Sequence, residues 1–501
     1  MKALLMYRDR DFDLQQKLPW NEEALIQDLE LNTLFKAMAL DDKFLFEVAK
    51  KAVLSGVSTD LDTIRYRQNI LTDCLKNAAI VRDIYNIAVR AIESEKKVYL
   101  GFFISKYPTT IVSRSIEVLL IFVSMLKKLR HIADDHAGKF DSEGFTRFFA
   151  MLNKGLSDDY FASLQNHLRQ LQFRDGVLIS AELGEGNKGT NYMLRKPNEK
   201  KQNWMEQILA KRPPVYTFYI ADRDESGARA LSELKDRGIN LVANALAQST
   251  DHILSFFTML RTELAFYIGC LNLHGQLAQM GEPTCFPVPV APGEHRLCFQ
   301  GLYDVCLALI MKQKIVGNDV NADNKDLMMI TGANQGGKST FLRGIGLSQV
   351  MMQCGLFVPA ESFSANVAAG LFTHYKREED TTMESGKLDE ELSRMSDIVD
   401  TITSNSIVLF NESFAATNER EGSEIAQQII TALLEKGIKV FFVTHLYQCA
   451  HGFYNNKLAN AIFLRAERRT DGTRTFKLTE GEPLQTSYGE DLYKSIFGTA
   501  D

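Results

Sequence analysis

The sequence predicts two fold classes in one chain: a long-helix, all-α region with a small β-rich insert, followed by an α/β domain with a mostly parallel sheet. Apolar residues recur at helical spacing through residues 20–171 and again through 226–280. Beyond a proline-rich boundary at 283–292, short apolar runs alternate with helical segments, as in α/β domains. The expected divisions are 1–172 and 223–282 for the helical region, 173–222 for the insert and 283–501 for the α/β domain.

Composition sets broad limits on the kind of protein. The 501 residues are 45% hydrophobic and 24% charged, which is typical of a soluble globular protein. The net charge of −6 is weak evidence against nucleic-acid binding, because a local basic groove would suffice. Seven cysteines without a C-x-x-C pair argue against zinc or disulfides and predict a cytoplasmic location. The longest lipid-like run, 118–123, is too short to span a bilayer, so no membrane partner is expected.

The insert at 173–222 differs from the helical sequence around it. VLISAEL and PVYTFYIAD have strand character, and they are separated by GEGNKGTN and by a basic stretch around Trp204. Two interpretations stay open: the basic side chains lie on a solvated loop, or they contact nucleic-acid phosphates. These side chains are Arg195, Lys196, Lys200, Lys201, Lys211 and Arg212.

A glycine-rich loop follows the apolar run 327–330 and precedes a helix-compatible segment. Its pattern, Gly332-x-x-x-x-Gly337-Lys338-Ser339, is that of a phosphate-binding loop, whose backbone N–H groups and helix N-terminus face phosphate oxygens. Lys338 would reach the β- and γ-phosphates and Ser339 a Mg²⁺ ion. An unliganded glycine-rich turn is the alternative. The predicted ATP-binding residues are Gly332, Ala333, Asn334, Gln335, Gly336, Gly337, Lys338, Ser339 and Thr340.

Two later apolar strands end in polar residues. The run 407–410 leads into Asn411 and Glu412, where an ATPase places the groups that order metal-bound water and align the attacking water. Asn411 is therefore a candidate metal residue and Glu412 the candidate general base. The run 439–443 ends in Thr444 and His445, and His445 could sense the γ-phosphate from the carboxyl edge of the sheet. Ordinary surface or structural roles are the alternatives for Glu412 and His445.

A serine-glycine pair, Ser385 and Gly386, precedes the helix-compatible segment LDEELSRMSDIVDTI. Backbone N–H groups and a hydroxyl at a helix N-terminus suit a phosphate. In its own subunit this helix would be too far from the glycine-rich loop to close on the γ-phosphate, whereas a partner subunit could supply it. A plain helix cap is the alternative.

These elements together resemble the ATPase domain of the MutS mismatch-repair family, a branch of the ABC-type ATPases. TGANQGGKST resembles the family's TGPNMGGKST, with Ala333 for proline and Gln335 for methionine. Further matches are Val316-Gly317-Asn318-Asp319 before the loop, Ser385-Gly386 at the trans-acting signature, Asn411-Glu412 at the family's Asp-Glu, Thr417 to Gly422 at its threonine-rich turn, Thr444-His445 at its histidine switch and Ser487-Tyr488-Gly489 near the end. The implied fold is an α/β P-loop ATPase domain of the ABC/MutS type.

Upstream, LDTIRYRQNIL and TELAFYIGCLNLHGQL resemble the family's helical core and lever, and the insert lies where the family has its DNA clamp. The resemblance implies a homodimer that sandwiches ATP and Mg²⁺, with Ser385-Gly386 acting in trans, and that binds duplex or branched DNA. The sequence has no room for mismatch-reading and connector domains before the helical core and no wedge motif in a fitting context, so mismatch reading is not expected.

Asn411 departs from the family's aspartate. Its amide oxygen lacks the charge-assisted part of a hydrogen bond to metal-bound water, about 1.5–3 kcal/mol, so slow hydrolysis is expected. Two other functions remain open from the sequence: an ABC-type ATPase that acts on ribosomes or structured RNA, and a nucleotide-gated scaffold with little hydrolysis.

Overall fold

The structure is a computed structural model that describes residues 1–57, 60–101, 107–174, 176–196, 216–377, 386–469 and 472–485. The chain forms two compact units. The first comprises Met1–Ala3, Asp83–Gly138 and Arg147–Arg261; the second comprises Leu4–Arg82, Lys139–Thr146 and Thr262–Asp501. Both units are discontinuous in sequence, and the four-part division expected from composition stays a prediction.

The helical pattern of the sequence is confirmed. The helices that precede the α/β region are α1 (Glu22–Asp28), α2 (Leu31–Ala39), α3 (Lys43–Gly56), α4 (Leu61–Lys76), α5 (Ala78–Gly101), α6 (Pro108–His136), α7 (Glu143–Gly155), α8 (Asp158–Gln170) and α9 (Glu225–Gln279). Side-chain caps explain several of their starts: the Asp42 carboxylate accepts the backbone N–H groups of Phe44 and Leu45 at α3, and Asp60 accepts that of Thr63 at α4.

One hydrophobic cluster of the first unit lies between α6, α8 and α9. Val112, Ile116 and Leu119 recur at three- and four-residue spacing along α6, so they form one buried stripe. Leu168 of α8 and Ile239 of α9 pack against that stripe. Burial of this apolar face, rather than helix propensity, accounts for most of the stability of such helices.

Within its described residues, the β-rich insert forms an antiparallel hairpin, and one of its two predicted strands was wrong. VLISAEL gives β1 (Leu178–Leu183), but its partner is β2 (Gly189–Arg195), which includes part of the stretch expected to be a loop. In PVYTFYIAD, residues 216–220 have no regular structure, and Tyr216, Phe218 and Tyr219 are 83–90% exposed. Aromatic residues favour strands only when a partner strand covers them, and a short connection gives β1 its nearest partner in β2.

The expectation that the longest lipid-like run is residues 118–123 is wrong. Two helical stretches, Pro108–Lys139 and Glu225–Gln279, are long and apolar enough to cross a membrane by length and composition alone. Within their most apolar windows, 44% and 67% of the residues are buried inside the protein. Core helices of soluble proteins pass the same test, so these two helices are weak evidence for a membrane.

The described residues of the second unit form two sheets. The strands and helices that follow α9 are β3 (Val288–Val290), β4 (Leu297–Leu302), α10 (Val305–Met311), β5 (Asn318–Asn321), β6 (Leu327–Gly332), α11 (Lys338–Gln353), β7 (Ser362–Asn366), β8 (Leu371–Tyr375), α12 (Lys387–Thr401), β9 (Ile407–Asn411), α13 (Glu419–Glu435), β10 (Lys439–Val443), α14 (Tyr447–Asn455), β11 (Ala461–Arg468) and β12 (Arg474–Glu480). The larger sheet has the order β12-β11-β6-β10-β9-β8, and the smaller one has the order β3-β7-β4-β5.

The larger sheet confirms the mostly parallel α/β prediction. β11, β6, β10, β9 and β8 run parallel, and β12 is antiparallel to β11. The predicted strands LMMIT, SIVLFNES and KVFFVTH become β6, β9 and β10, whose apolar residues are buried on both faces. Helices α12, α13 and α14 pack on one face through Met395, Ile430 and Phe453. On the other face, α11 approaches so closely that a Cβ on Gly346 would lie 2.6 Å from Leu409. The smaller sheet was not predicted.

The N-terminal segment is held by a buried carboxylate of α9. Glu263 is fully buried, and its two oxygens accept the backbone N–H groups of Leu5 at 2.5 Å and Phe12 at 3.1 Å. The Tyr267 hydroxyl donates to the Leu5 carbonyl, and the buried Arg67 Nε donates to the Met6 carbonyl at 3.0 Å. Burial raises the pKa of Glu263 to about 7, although the backbone N–H donors partly oppose it.

This shift predicts a pH-dependent stability. A carboxyl whose pKa is higher in the folded state contributes stability that is complete below its unfolded pKa near 4.5 and is lost as the pH rises through about 7. Relative to Glu263→Gln, we expect the free energy of unfolding of the wild type to fall by on the order of 3 kcal/mol across that window. Urea titrations followed by circular dichroism at several pH values would measure it. Glu47→Gln, on the exposed face of α3, is the matched control; parallel curves for wild type and Glu263→Gln would contradict the assignment.

Candidate functional site

The glycine-rich loop connects the central strand β6 to α11. β6 ends at Gly332, whose φ is 103°, and α11 begins at Lys338 after Gly337, whose φ is 86°. A residue with a Cβ would be strained at such φ angles, so glycine suits both positions. The neighbouring strand β11 also lies very close: a Cβ on Gly336 would be 2.6 Å from the Ala466 Cβ. Local backbone and neighbouring strand together therefore require glycines here.

Lys338 folds back over this loop. Its ammonium donates to the carbonyls of Gly332 at 3.0 Å and Ala333 at 2.9 Å, and its side chain is largely buried. Burial lowers the pKa of Lys338 to about 8, and the Glu412 carboxylate partly opposes this shift. The positive charge thus lies at the mouth of the loop, and its hydrogen bonds within the described residues go to neutral oxygens that an anion could replace.

The first turn of α11 reaches the end of β9, although β10 lies between β6 and β9 in the sheet. The Ser339 hydroxyl donates to the Asn411 amide oxygen at 2.9 Å. Hydroxyl and amide oxygens are ligands that Mg²⁺ accepts directly or through water, so this pair fits the predicted metal. Nowhere in the described ranges, this site included, does a group of three or more His, Cys, Asp or Glu side chains form a metal site.

Glu412 and His445 meet at the same edge of the sheet. The His445 Nε2 lies 3.1 Å from the Glu412 Oε1, and both side chains are about one-third exposed. The chain turns at Glu412, whose φ is 54°, and its N–H donates to the Val443 carbonyl at 2.8 Å. The hydrogen bond and charge of His445 hold the pKa of Glu412 below its ordinary value, with further contributions from Lys338 and Lys376. The carboxylate is therefore ionised and oriented.

A cavity of about 380 Å³ adjoins the loop and was not predicted. Its apolar lining includes Leu307, Met311, Ile315, Val316, Phe341 and Phe476. β12 also holds the loop: Arg474 Nε donates to the Asn334 carbonyl at 3.1 Å. Asn318 positions β12 in turn, because its side chain accepts the Leu478 N–H at 2.8 Å and donates to the Phe476 carbonyl at 3.2 Å. Separate parts of the chain form this cavity, and of its lining the sequence had singled out Gln335, Gly337 and Thr340 in the loop and Val316 and Asn318 before it.

The structure places the other predicted residues as follows. Gln335 and Thr340 lie at the border between the loop and the cavity. Gly386 is the N-cap position of α12, with extended backbone angles and no side-chain cap. In the first unit, Arg195 ends β2, where its Nε donates to the Ser180 hydroxyl at 2.7 Å, and Lys196 is exposed. Outside the described residues lie Lys200, Lys201, Trp204, Lys211, Arg212, Ser385 and Ser487 to Gly489.

Comparison with protein families accounts for both parts of the chain. A family model for the MutS2 N-terminal domain matches residues 59–280, and one for MutS domain V matches residues 328–496. The chain belongs to the MutS family. The match to domain V includes the glycine-rich loop, Asn411, Glu412 and His445, so the resemblance seen in these motifs is confirmed at the level of the family.

Individual MutS relatives match over part of their length. DNA mismatch repair protein MutS from Streptococcus thermophilus is 30% identical over 237 residues, which cover 46% of this chain and 28% of that protein. The Lactococcus lactis protein of the same name is 27% identical over 290 residues, covering 55% and 34%. MutS protein homolog 4 from Mus musculus is 27% identical over 197 residues, covering 38% and 21%. The chain thus spans about a third or less of these relatives.

The close approach of β11 to the loop predicts that Gly336 cannot be replaced without cost. In Gly336→Ala the new Cβ would lie 2.6 Å from the Ala466 Cβ and 2.9 Å from the Ala333 carbonyl, so the loop or β11 must shift. We expect the free energy of unfolding to fall by about 1–3 kcal/mol, as in other overpacked sites. Chemical denaturation beside Gly293→Ala, whose Cβ would have no heavy atom within 4 Å, tests this. Equal stability of the two variants would show that the loop yields freely.

Proposed function

We propose that this MutS-family chain is an ATP-dependent DNA-binding protein whose ATPase site is the carboxyl edge of the larger sheet. The observation that carries the proposal is the convergence of Lys338, the Ser339–Asn411 pair and the Glu412–His445 pair on that edge. These are the charges and oxygens that phosphoryl transfer to water requires: a cation for the phosphates, oxygens for a metal, and an oriented carboxylate. The named activity of the relatives, DNA mismatch repair, supports a role on DNA.

Each side chain then has a role. The ammonium of Lys338 exchanges its two carbonyl partners for β- and γ-phosphate oxygens, while loop N–H groups and the α11 N-terminus hold the remaining charge. Ser339 and Asn411 would hold Mg²⁺, directly or through water, and the ion would supply positive charge beside the phosphates. Glu412 accepts a proton from the attacking water, and His445 keeps this carboxylate in place.

The apolar cavity suits the nucleotide base. It begins at Gln335 and Gly337 in the loop, and Phe341 and Phe476 supply flat apolar surfaces beside it. Its volume of about 380 Å³ lies in the range of small-molecule sites. A base there would leave the triphosphate directed toward the loop and the Glu412–His445 pair.

The assembly and the nucleic-acid surface are further parts of the proposal. Two copies would sandwich ATP, with Ser385 and Gly386, which precede α12 in the sequence, completing the partner's site. Extra contacts to the γ-phosphate in the closed dimer would then favour closure when ATP is bound. In the first unit, Arg195 and Lys196 on the β1–β2 hairpin supply positive charge for duplex or branched DNA, bound by shape and phosphate. We also propose that the protein is cytoplasmic and that it does not read mismatches.

ATP turnover tests the proposal. Purified protein with Mg²⁺ should hydrolyse ATP, and duplex or branched DNA should stimulate turnover less as salt rises, because phosphate contacts release counterions. Glu412→Gln should lower turnover at least about 100-fold yet retain ATP binding, since it removes the base and not the phosphate contacts. Glu435→Gln is the matched control, because Glu435 is exposed at the last residue of α13.

Other outcomes identify the alternatives. Stimulation by RNA or ribosomes and not by DNA would favour the translation function. ATP binding without turnover, unaffected by nucleic acid, would favour a nucleotide-gated scaffold. Unchanged turnover in Glu412→Gln would refute its assignment as the base.

Asn411 should limit the rate. Asn411→Asp restores a charged acceptor beside Ser339, so we expect turnover at saturating Mg²⁺ to rise roughly tenfold and the Mg²⁺ concentration for half-maximal turnover to fall. Steady-state assays over a range of Mg²⁺ concentrations measure both quantities. Asn244→Asp, exposed on α9, adds the same charge elsewhere and should change neither. Equal rates for wild type and Asn411→Asp would mean that the amide is not what makes hydrolysis slow.

A further inference from the structure

A second lysine lies beside the candidate catalytic groups and belongs to none of the predicted motifs. Lys376 is the first residue after β8, the edge strand next to β9. β8 and β9 are parallel, with Tyr375 opposite Asn411, and the Lys376 N–H donates to the Asn411 carbonyl at 3.0 Å. This register places Lys376 level with Glu412 at the carboxyl edge of the sheet.

The backbone of Lys376 is fixed on both sides. Its own N–H is bonded to Asn411, and the next residue, Arg377, donates to the Asp28 carboxylate at 2.7 Å. The Asp28 side chain is 1% exposed, so this ion pair anchors the segment to α1. The Lys376 side chain is exposed, in contrast. The flexible, four-carbon side chain of Lys376 thus begins at a backbone position that is held in place.

The part of the site that would hold the phosphates lies about one strand spacing from the backbone of Lys376. The Ser339–Asn411 hydrogen bond of 2.9 Å brings the start of α11 over the end of β9. Neighbouring strands are about 4.8 Å apart, which a lysine side chain can cross. Of the groups that lower the pKa of Glu412, His445 has the largest effect, and Lys338 and Lys376 follow. Glu412 therefore has one lysine near it on the side of the loop and another on the side of β8.

The orientation of the side chain follows from strand alternation. Thr373 and Tyr375 are directed toward the face that holds Asp28. His374 is directed to the opposite face, where its Nδ1 lies 2.8 Å from the Ser413 hydroxyl and its Nε2 lies 2.9 Å from the Glu391 carbonyl. Residues two apart share a face, so Lys376 leaves β8 on the same side as Ser413. Ser413 is the residue that follows Glu412 in the chain.

We propose that Lys376 contacts the terminal phosphate of ATP from within its own subunit and thereby sets the preference of the site for ATP over ADP. The inference rests on the proposed function, since it assigns a further residue to the same nucleotide site. ATP carries an additional charged phosphate at the end that faces β9, whereas ADP ends short of it. A cation at this point therefore adds affinity for the triphosphate alone.

Equilibrium titration with a fluorescent, non-hydrolysable ATP analogue and with fluorescent ADP, both with Mg²⁺, tests the inference. Lys376→Ala should weaken binding of the ATP analogue about tenfold and change ADP affinity less than about twofold, the size expected for one charge-assisted contact. Lys376→Arg keeps the charge and should stay within about threefold of the wild type for both ligands. Lys436→Ala removes the same charge at the opposite edge of the sheet, before β10, and should change neither affinity.

The outcomes separate this inference from the proposed function. If the wild type binds neither ligand, the proposed nucleotide site is wrong. If the wild type binds both and Lys376→Ala leaves the ratio of the two affinities unchanged, the nucleotide site stands and the role of Lys376 is refuted. Equal weakening of both ligands by Lys376→Ala would likewise refute it, because a contact to the terminal phosphate cannot act on ADP.

Discussion

Five parallel strands in one sheet bring the candidate catalytic side chains to a single edge, and the rest of the site depends on this pairing. β10 lies between β6 and β9, so the loop after β6, Glu412 after β9 and His445 after β10 become neighbours in space. A slip of one residue in any of these strands would send its side chains to the other face of the sheet. The hydrogen bond between Ser339 and Asn411 then ties the loop helix across β10 to β9.

The loop helix α11 is also bonded to the N-terminal part of the second unit. Arg343 in α11 forms ion pairs with Asp304 at 2.6 Å and with Glu30 at the start of α2. Just beyond its C-terminus, the Cys354 carbonyl accepts a hydrogen bond from the fully buried Arg67 at 3.3 Å. Arg67 also holds the segment that Glu263 of α9 binds. Buried charges are costly when unpaired, so these contacts resist independent movement of α11. A shift of the loop on nucleotide binding would therefore strain α2, α4 and α9 within this unit.

The charge balance of the site favours an anion over a bare cation. Asn411 is neutral, Glu412 is the carboxylate at the described edge, and Lys338 and Lys376 both lie close enough to influence it. A polyphosphate meets little repulsion there. A divalent metal, in contrast, would obtain neutral oxygens from Ser339 and Asn411 and would depend on the phosphates for negative charge. In the proposed function, nucleotide binding and metal-dependent hydrolysis would thus depend on different side chains.

The sequence by itself determined the helices, the three central strands and the residues of the loop. Periodicity and glycine spacing are local, and buried parallel strands give continuous apolar runs. It also indicated that Asn411, Glu412 and His445 follow strand ends. Only the tertiary structure decided the strand order, the smaller sheet and the pairing of β1 with β2 in place of PVYTFYIAD. It alone also showed the cavity beside the loop and the position of Lys376 next to Asn411. These depend on contacts between residues far apart in the chain, which propensity and spacing do not encode. An exposed lysine after an edge strand has no distinguishing pattern until the neighbouring strand shows what lies beside it.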